Sequence, residues 1–307
     1  MKKNRKKILA YLGLTLMTVI IGFSFIFVKI ALRHASPVNL LAHRFTAATV
    51  WLFFFYVIFK RKKPEIERKH VRSLLALSLF YPILLFTMQT VGLQFTTASE
   101  AGILSAMAPI FTVIFASLFL KEKNSLWQKM SVVLSVVGVL YILHKNGVGQ
   151  MSPVTLKGDF FILLSVLSMV VYFVLGRKIN QKMDAMDITF FMTVVACVAF
   201  NLVSVVSHSV SGTLTEYFSA FRNIEFLWSV LYLGILSSFL TSFLTNNALR
   251  VIPATQVSIF NNFSPVIAVF GGVAFLSETL HPYHIAGGVM VLAGIVGVNV
   301  LGRKKGV

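Results

Sequence analysis

The stretch from Thr97 to Gln128, TASEAGILSAMAPIFTVIFASLFLKEKNSLWQ, decides the fold. It is an apolar run of helix length with Pro109 near its middle and Glu122 just past its end. An offset of 156 positions lays PATQVSIFNNFSPVIAVFGGVAFLSETLHPYH, Pro253 to His284, beneath it without a gap. Pro109 then meets Pro265, Phe119-Leu120 meet Phe275-Leu276, Glu122 meets Glu278, and Gly138 farther on meets Gly294. Two apolar helices share Leu, Val and Ala by chance. A shared Pro, followed at fixed distances by a Glu and a Gly, marks an internal duplication.

The rest of the chain says where such a duplicated run belongs. Of its 307 residues, 57% are hydrophobic and only 12% charged, usage that fits a bilayer and not water. Ten apolar segments can be cut out, at about 8 to 32, 38 to 59, 73 to 93, 97 to 120, 126 to 143, 158 to 176, 187 to 208, 226 to 247, 253 to 276 and 283 to 302. Each is close to the roughly 20 residues that a hydrocarbon core about 30 Å thick requires. The expected fold is an all-α polytopic membrane protein.

A formal charge of +18 raises the possibility of a nucleic-acid partner. The placement of the charge argues against one. With the N-terminus inside, 22 of the 28 Lys and Arg residues fall on the inner side, among them the run Lys60 to Arg72. That asymmetry expects both termini in the cytoplasm and the bilayer, not nucleic acid, as the partner. The opening MKKNRKK and its apolar sequel are read as the first span, because the run is too long for a cleaved signal and no small-x-small site follows before Arg33. Cys197 is the single cysteine and permits no intrachain disulfide.

Residues 1–148 and 149–307 are expected to be two five-helix repeats, divided near the linker from His144 to Lys157. Five is odd, so the second copy enters the membrane upside down. Inverted repeats build carriers whose inside-facing and outside-facing shapes interchange around a site near the midplane.

The ten-span pattern, QFTTASEAGILSAMAPIFTVIFASLFLKEK with its echo in span 9, and AHRF at Ala42 to Phe45 together resemble the EamA-type members of the drug/metabolite transporter superfamily. The likeness covers almost the whole chain. Glu122 and Glu278 match the acidic residue that closes spans 4 and 9 in that family, although Lys121 and Ser277 stand where a Gly usually precedes it. The resemblance implies a secondary transporter of small organic metabolites, such as amino acids or drugs, acting as an exporter by alternating access. Members differ widely in what they carry.

Candidate site residues follow from the two central prolines. Each lacks an N–H and frees the carbonyl four residues earlier, Ser105 for Pro109 and Asn261 for Pro265. Gly102 and Ser105 share the first proline's face, and Ser258 and Asn261 share the second's, with Asn262 at the edge. A solute held between these faces would hydrogen-bond to Asn261, Asn262 and Ser258, unless those side chains simply join helices. Tyr81, Gln89, Tyr172, Ser238 and Thr241 are further candidates for cavity polar groups.

The intramembrane charges allow two readings. Thr97 and Glu100 fit a capping box at the start of span 4, while a membrane carboxylate is also a candidate coupling group. Glu100 and Arg44 could pair, since both lie at similar depth. Arg44 and His43 could instead attract an anionic group of the solute, or Arg44 could snorkel outward. Glu122 and Glu278 are expected to satisfy the backbone at the turns into spans 5 and 10, and the outer loop Ser207 to Phe226 is expected to be an ordinary solvated connection.

Glu278, His281 and His284 have the spacing E-x-x-H-x-x-H, but Pro282 starts a new helix between the histidines, so no metal is expected. No P-loop occurs, and no cofactor is expected. The chain is expected not to be an enzyme. The alternative, a membrane-embedded enzyme acting on a lipid or lipid-linked substrate, would need acids and histidines gathered at one face.

Overall fold

The computed structural model describes residues 2–58, 64, 66–108, 110–112, 114–115, 126–150, 153–252, 257, 260 and 263–302. The regular elements among the described residues are all helical. They run α1 (Lys2–Ala31), α2 (Pro37–Ile58), α3 (Arg68–Ser78), α4 (Leu85–Phe95), α5 (Ala98–Ser105), α6 (Leu126–Gln150), α7 (Pro153–Asn180), α8 (Ala185–Val210), α9 (Ile224–Leu231), α10 (Thr241–Val251), α11 (Ser264–Leu276) and α12 (Pro282–Gly302). Six continuous helical stretches are long and apolar enough to cross a membrane: Lys7–Ala31, Pro37–Ile58, Arg68–Phe95, Val154–Asn180, Ala185–Val210 and Ile224–Val251. Their outward faces keep large apolar residues such as Phe53, Val198 and Trp228 exposed, as lipid contact requires. The chain is therefore a multi-pass membrane protein.

Two of these spans are interrupted by π-helical stretches. Leu79–Leu84 joins α3 to α4 and contains Pro82, with Tyr81 leaving helical geometry at φ −136 and ψ 115. Pro82 has no N–H to close a regular turn, which accounts for the break. Tyr232–Leu240 joins α9 to α10 without a proline. There Gly234 lies against α2, where any side chain would meet the carbonyl of Arg44, so the bulged helix and α2 approach closely.

The packing partners are specific. α2 packs on α8 and on Tyr232–Leu240, α4 on α7, α5 on α11, and α6 on α12, while α1 lies between α10 and α11. Ser135 Oγ donates to the Val291 carbonyl at 3.0 Å across the α6–α12 contact. Small residues make these approaches possible. Gly92 and Gly158 face one another between α4 and α7, and Gly138 faces Gly287 between α6 and α12.

The helices converge at one end, called here the Lys29 end, in a set of mutual caps. Thr97 and Glu100 form the expected capping box, Thr97 accepting from the Glu100 N–H at 3.0 Å. Glu278 departs from expectation. Its carboxylate crosses to the start of α5, accepting from the Ala98 N–H at 2.7 Å, the Ser99 N–H at 2.9 Å and the Ser99 hydroxyl at 2.6 Å. The reason is geometric. Ser277 takes a left-handed conformation, φ 54, and the Glu278 N–H closes on the Gly272 carbonyl at 3.1 Å. This turns the acid back over α11 instead of forward into α12. A helix N-terminus with unpaired N–H groups is where an anion is most stabilising.

The loop between α8 and α9 also departs from expectation. Two short 3-10 turns, Leu214–Glu216 and Ser219–Arg222, fold Tyr217 and Ala220 into the protein. The Tyr217 hydroxyl donates to Asn201 Oδ1 at 2.6 Å, and its carbonyl receives Asn39 Nδ2 at 3.3 Å. The segment is thus a packed cover over α2 and α8.

Two outcomes are expected from the Glu278 turn. Ser277→Gly removes a left-handed penalty of about 1 kcal/mol and raises the thermal midpoint of the detergent-solubilised protein, whereas Ser277→Val lowers it. Glu278→Ala leaves the Ala98 and Ser99 N–H groups without their carboxylate and lowers the midpoint more, at about 1.5 to 3 kcal/mol for each charge-assisted bond lost.

Candidate functional site

Buried polar side chains collect in two places, one in the middle of the bundle and one at the Lys29 end. The central group starts from Arg44 on α2, whose side chain is completely buried. Its Nε donates to Ser238 Oγ at 2.7 Å and its Nη2 to Ser237 Oγ at 3.0 Å, while Nη1 has no hydrogen-bond partner among the described residues. The guanidinium carbon lies 4.0 Å from the centre of the Phe86 ring. No Asp or Glu among the described residues pairs with it. Arg44 therefore neither snorkels outward nor meets Glu100.

From Ser238 the polar contacts continue along the next turn. Ser242 Oγ donates to the Ser238 carbonyl and lies 2.9 Å from the Tyr81 hydroxyl. Tyr81 stacks on Tyr172 with ring centres 4.6 Å apart. The Tyr172 hydroxyl bonds to Asn246 Oδ1, and Asn246 Nδ2 donates to Thr189 Oγ1 at 2.9 Å. Thr241 Oγ1 donates to the Ser237 carbonyl at 2.5 Å and so secures the bulged helix. All of these side chains are buried. Residues from α2, the stretch around Tyr81, α7, α8 and α10 thus share one network.

The central group unites Arg44, Tyr81, Tyr172, Ser238 and Thr241 from the sequence reading. Ser237, Ser242, Asn246, Thr189 and Phe86 join them without having been anticipated. A signal existed for two of these: Ser242 and Asn246 recur with Ser238 and Thr245 at helical spacing along one face of an otherwise apolar run.

Other candidates lie elsewhere. His43 leaves the centre and sits under the 214–222 cover, its Nε2 2.9 Å from the Tyr217 carbonyl and its ring edged by Tyr217, Phe221 and Phe226. Gly102 is packed directly on Ala268 and Pro265 of α11. The Ser105 hydroxyl donates to the Ala101 carbonyl at 2.7 Å, within its own helix. Gln89 is half-buried on α4. Ser258, Asn261 and Asn262 lie outside the described residues, as do Pro109 and Glu122.

The group at the Lys29 end gathers Glu100, Thr96, Asp159, His284 and Lys29. Glu100 Oε1 is 3.1 Å from His284 Nε2, and its Oε2 receives the Thr96 hydroxyl at 2.7 Å. Thr96 Oγ1 also lies 2.8 Å from Asp159 Oδ1. Lys29 Nζ donates to the carbonyls of Thr96 at 2.9 Å and Leu93 at 3.1 Å, holding the end of α4 to α1. A polar pocket of about 330 Å³ opens beside them, lined by Lys29, Gln94, Thr96, Thr97, Glu100, Thr155 and Tyr283. Glu278 and His284 thus each bond to α5, and among the described residues no group of three or more His, Cys, Asp and Glu is placed to hold a metal ion. Asp159 was not singled out in the sequence, although it is the one acid within its apolar span.

Comparison with known proteins agrees with this architecture. An uncharacterized transporter of Bacillus subtilis, YcxC, is 43% identical over 300 residues, covering 96% of this chain and 94% of the relative. A second from the same organism, YoaV, is 25% identical over 92% of this chain and 94% of its own. An uncharacterized transporter of Archaeoglobus fulgidus is 28% identical over 93% and 95%. A solved crystal structure only 13% identical covers 98% of both chains with a TM-score of 0.69, a likeness of fold. The model of the EamA-like transporter family matches twice, at residues 8–144 and 156–300, and the chain belongs to that family.

Proposed function

We propose that the protein is a secondary carrier that exports a small organic solute bearing an anionic group, a carboxylate above all, through the centre of the bundle. The observation that carries this reading is Arg44. A guanidinium buried in apolar surroundings without a counter-charge is costly by several kcal/mol. Among the described residues Arg44 keeps one nitrogen unbonded, and serine hydroxyls and an aromatic face compensate it only in part. A transported carboxylate supplies the missing charge, and Arg presents a fork suited to it. Phe86, Tyr81 and Tyr172 offer apolar and stacking surface to the rest of such a solute, as an amino acid or an aromatic acid would need. Ser258, Asn261 and Asn262 are assigned to the same path from their sequence pattern.

Alternating access comes from ten spans in two inverted five-span repeats, residues 1–148 and 149–307, with both termini cytoplasmic. The packing partners support this. Spans numbered in order pair 2 with 7, 4 with 9 and 5 with 10, each with its own counterpart, while 3 with 6 is matched by 8 with 1. A two-fold relation between halves requires that pattern. The π-helical stretches also fall at matching places in spans 3 and 8, and the bonded residues Ser135 and Val291 are 156 positions apart.

Purified protein in vesicles, loaded with radiolabelled amino acids and other carboxylates or with their methyl esters, tests the reading. The expected result is saturable flux of an acid but not of its ester, favouring exit from vesicles sealed right side out. Arg44→Gln is expected to reduce it about 30-fold or more, in keeping with ~2 kcal/mol for removing one partner of a buried charge pair, at unchanged membrane abundance. Equal flux of acid and ester, or full activity in Arg44→Gln, would overturn the assignment of Arg44.

A further inference from the structure

At the Lys29 end, hydrogen donors can be counted against acceptors. His284 Nδ1 accepts the backbone N–H of His281 at 3.1 Å, so the ring proton sits on Nε2 and donates to Glu100 Oε1. Glu100 Oε2 accepts the Thr97 N–H at 3.4 Å and the Thr96 hydroxyl at 2.7 Å. These groups all donate to Glu100, which suits an ionised carboxylate. Thr96 has one hydroxyl proton, and Glu100 takes it. Yet Thr96 Oγ1 also stands 2.8 Å from Asp159 Oδ1, a hydrogen-bond distance between two oxygens. One of the two carboxyls has to supply the proton for that second bond, and Asp159 is the better suited, because Glu100 also accepts from His284 and from the Thr97 N–H. Its other oxygen, Oδ2, is buried without a partner among the described residues, which a neutral carboxyl tolerates far better than a carboxylate does.

We propose that Asp159 carries a proton in this arrangement, and that Thr96, Glu100 and Asp159 form a proton-binding site that holds the Lys29 end closed. The pocket of about 330 Å³ beside Thr96 and Glu100 gives the proton a route to bulk water. Its loss leaves Asp159 as a second carboxylate beside Glu100, with a single hydroxyl between them. The charges nearby do not replace it. Lys29 on α1 is held by the Leu93 and Thr96 carbonyls, and Arg33 lies farther along the same chain segment. Lys157 on α7 sits over the Phe95 ring at 4.8 Å. From the other side, Glu278 is turned to the start of α5, His284 is engaged by Glu100, and Tyr283 lines the pocket. Like charges on Glu100 and Asp159 then push α7 away from the turn between α4 and α5.

For the exporter, and resting on that reading, this makes the Lys29 end the outer mouth, closed by a proton taken up from outside after the solute has left. Proton binding and solute release thereby become linked steps of one exchange.

Infrared spectroscopy of the protein in lipid vesicles tests the proton directly, since an unionised carboxyl has a C=O stretch that a carboxylate lacks. Wild type is expected to show this band at neutral pH and to lose it as the pH is raised. Asp159→Asn abolishes the band, and Thr96→Val, which removes the acceptor, moves it to higher frequency. Asp184→Asn, altering a surface acid paired with Arg250, leaves it in place. A folded wild type without the band, a band that survives Asp159→Asn, or one unmoved by Thr96→Val overturns the proposal. Absence of solute flux alongside the expected spectra removes the carrier reading and leaves the proton site. Flux without the band removes the proton site alone.

Discussion

The carboxylate of Glu278 at the start of α5 is the contact on which the Lys29 end depends. Hydrocarbon offers no hydrogen bonds, so N–H groups at a helix start within a membrane protein need partners supplied by the protein itself. Glu278 supplies two of them from a neighbouring helix and thereby ties the end of α11 to the beginning of α5. The left-handed Ser277 and the bare surface of Gly272 follow from this, since the acid has to fold back across its own helix. Once α5 is fixed, Glu100 is placed where His284, Thr96 and its own capping partner all reach it.

The bundle treats its buried charges in two contrasting ways. At the Lys29 end Glu100 and Glu278 each accept from several donors, and Lys29 is held by two carbonyls. In the centre, Arg44 has serine hydroxyls and a phenyl ring but no counter-charge among the described residues. Satisfied charges hold helices together. The incompletely satisfied one is the charge that the proposed solute would complete, and it lies among α2, α8 and the bulged stretch Tyr232–Leu240, where helices from both halves of the chain meet.

Much of the fold was legible in the chain. The span read as 38 to 59 is α2 at Pro37–Ile58, and that read as 187 to 208 is α8 at Ala185–Val210, because a bilayer imposes length and composition on any helix that crosses it. The capping box at Thr97 and Glu100 was legible for the same local reason, since its partners are three residues apart. Tyr81 and Ser238 could be suspected as polar residues in apolar runs. That Arg44 would reach Ser238 and not Glu100 could not, because depth in the membrane says nothing about which face of a bundle a side chain occupies. The 214–222 segment misled for a related reason: its composition and most of its surface are those of a solvated loop, while Tyr217 and Ala220 are buried and Tyr217 reaches Asn201 and Asn39 in other helices.

By itself the sequence determined the membrane, the family and the duplication, since hydropathy, charge asymmetry and a Pro and Glu recurring at a fixed offset are properties of the chain and survive without coordinates. Tertiary structure alone decided the partners. Glu278 caps a helix 180 residues away, Asp159 meets Thr96 across 63 residues, and Arg44 meets Ser238 across 194. Such contacts depend on which helix faces which and on where a π-helical stretch shifts a face by a fraction of a turn. Those are consequences of packing many helices at once, and no local pattern encodes them.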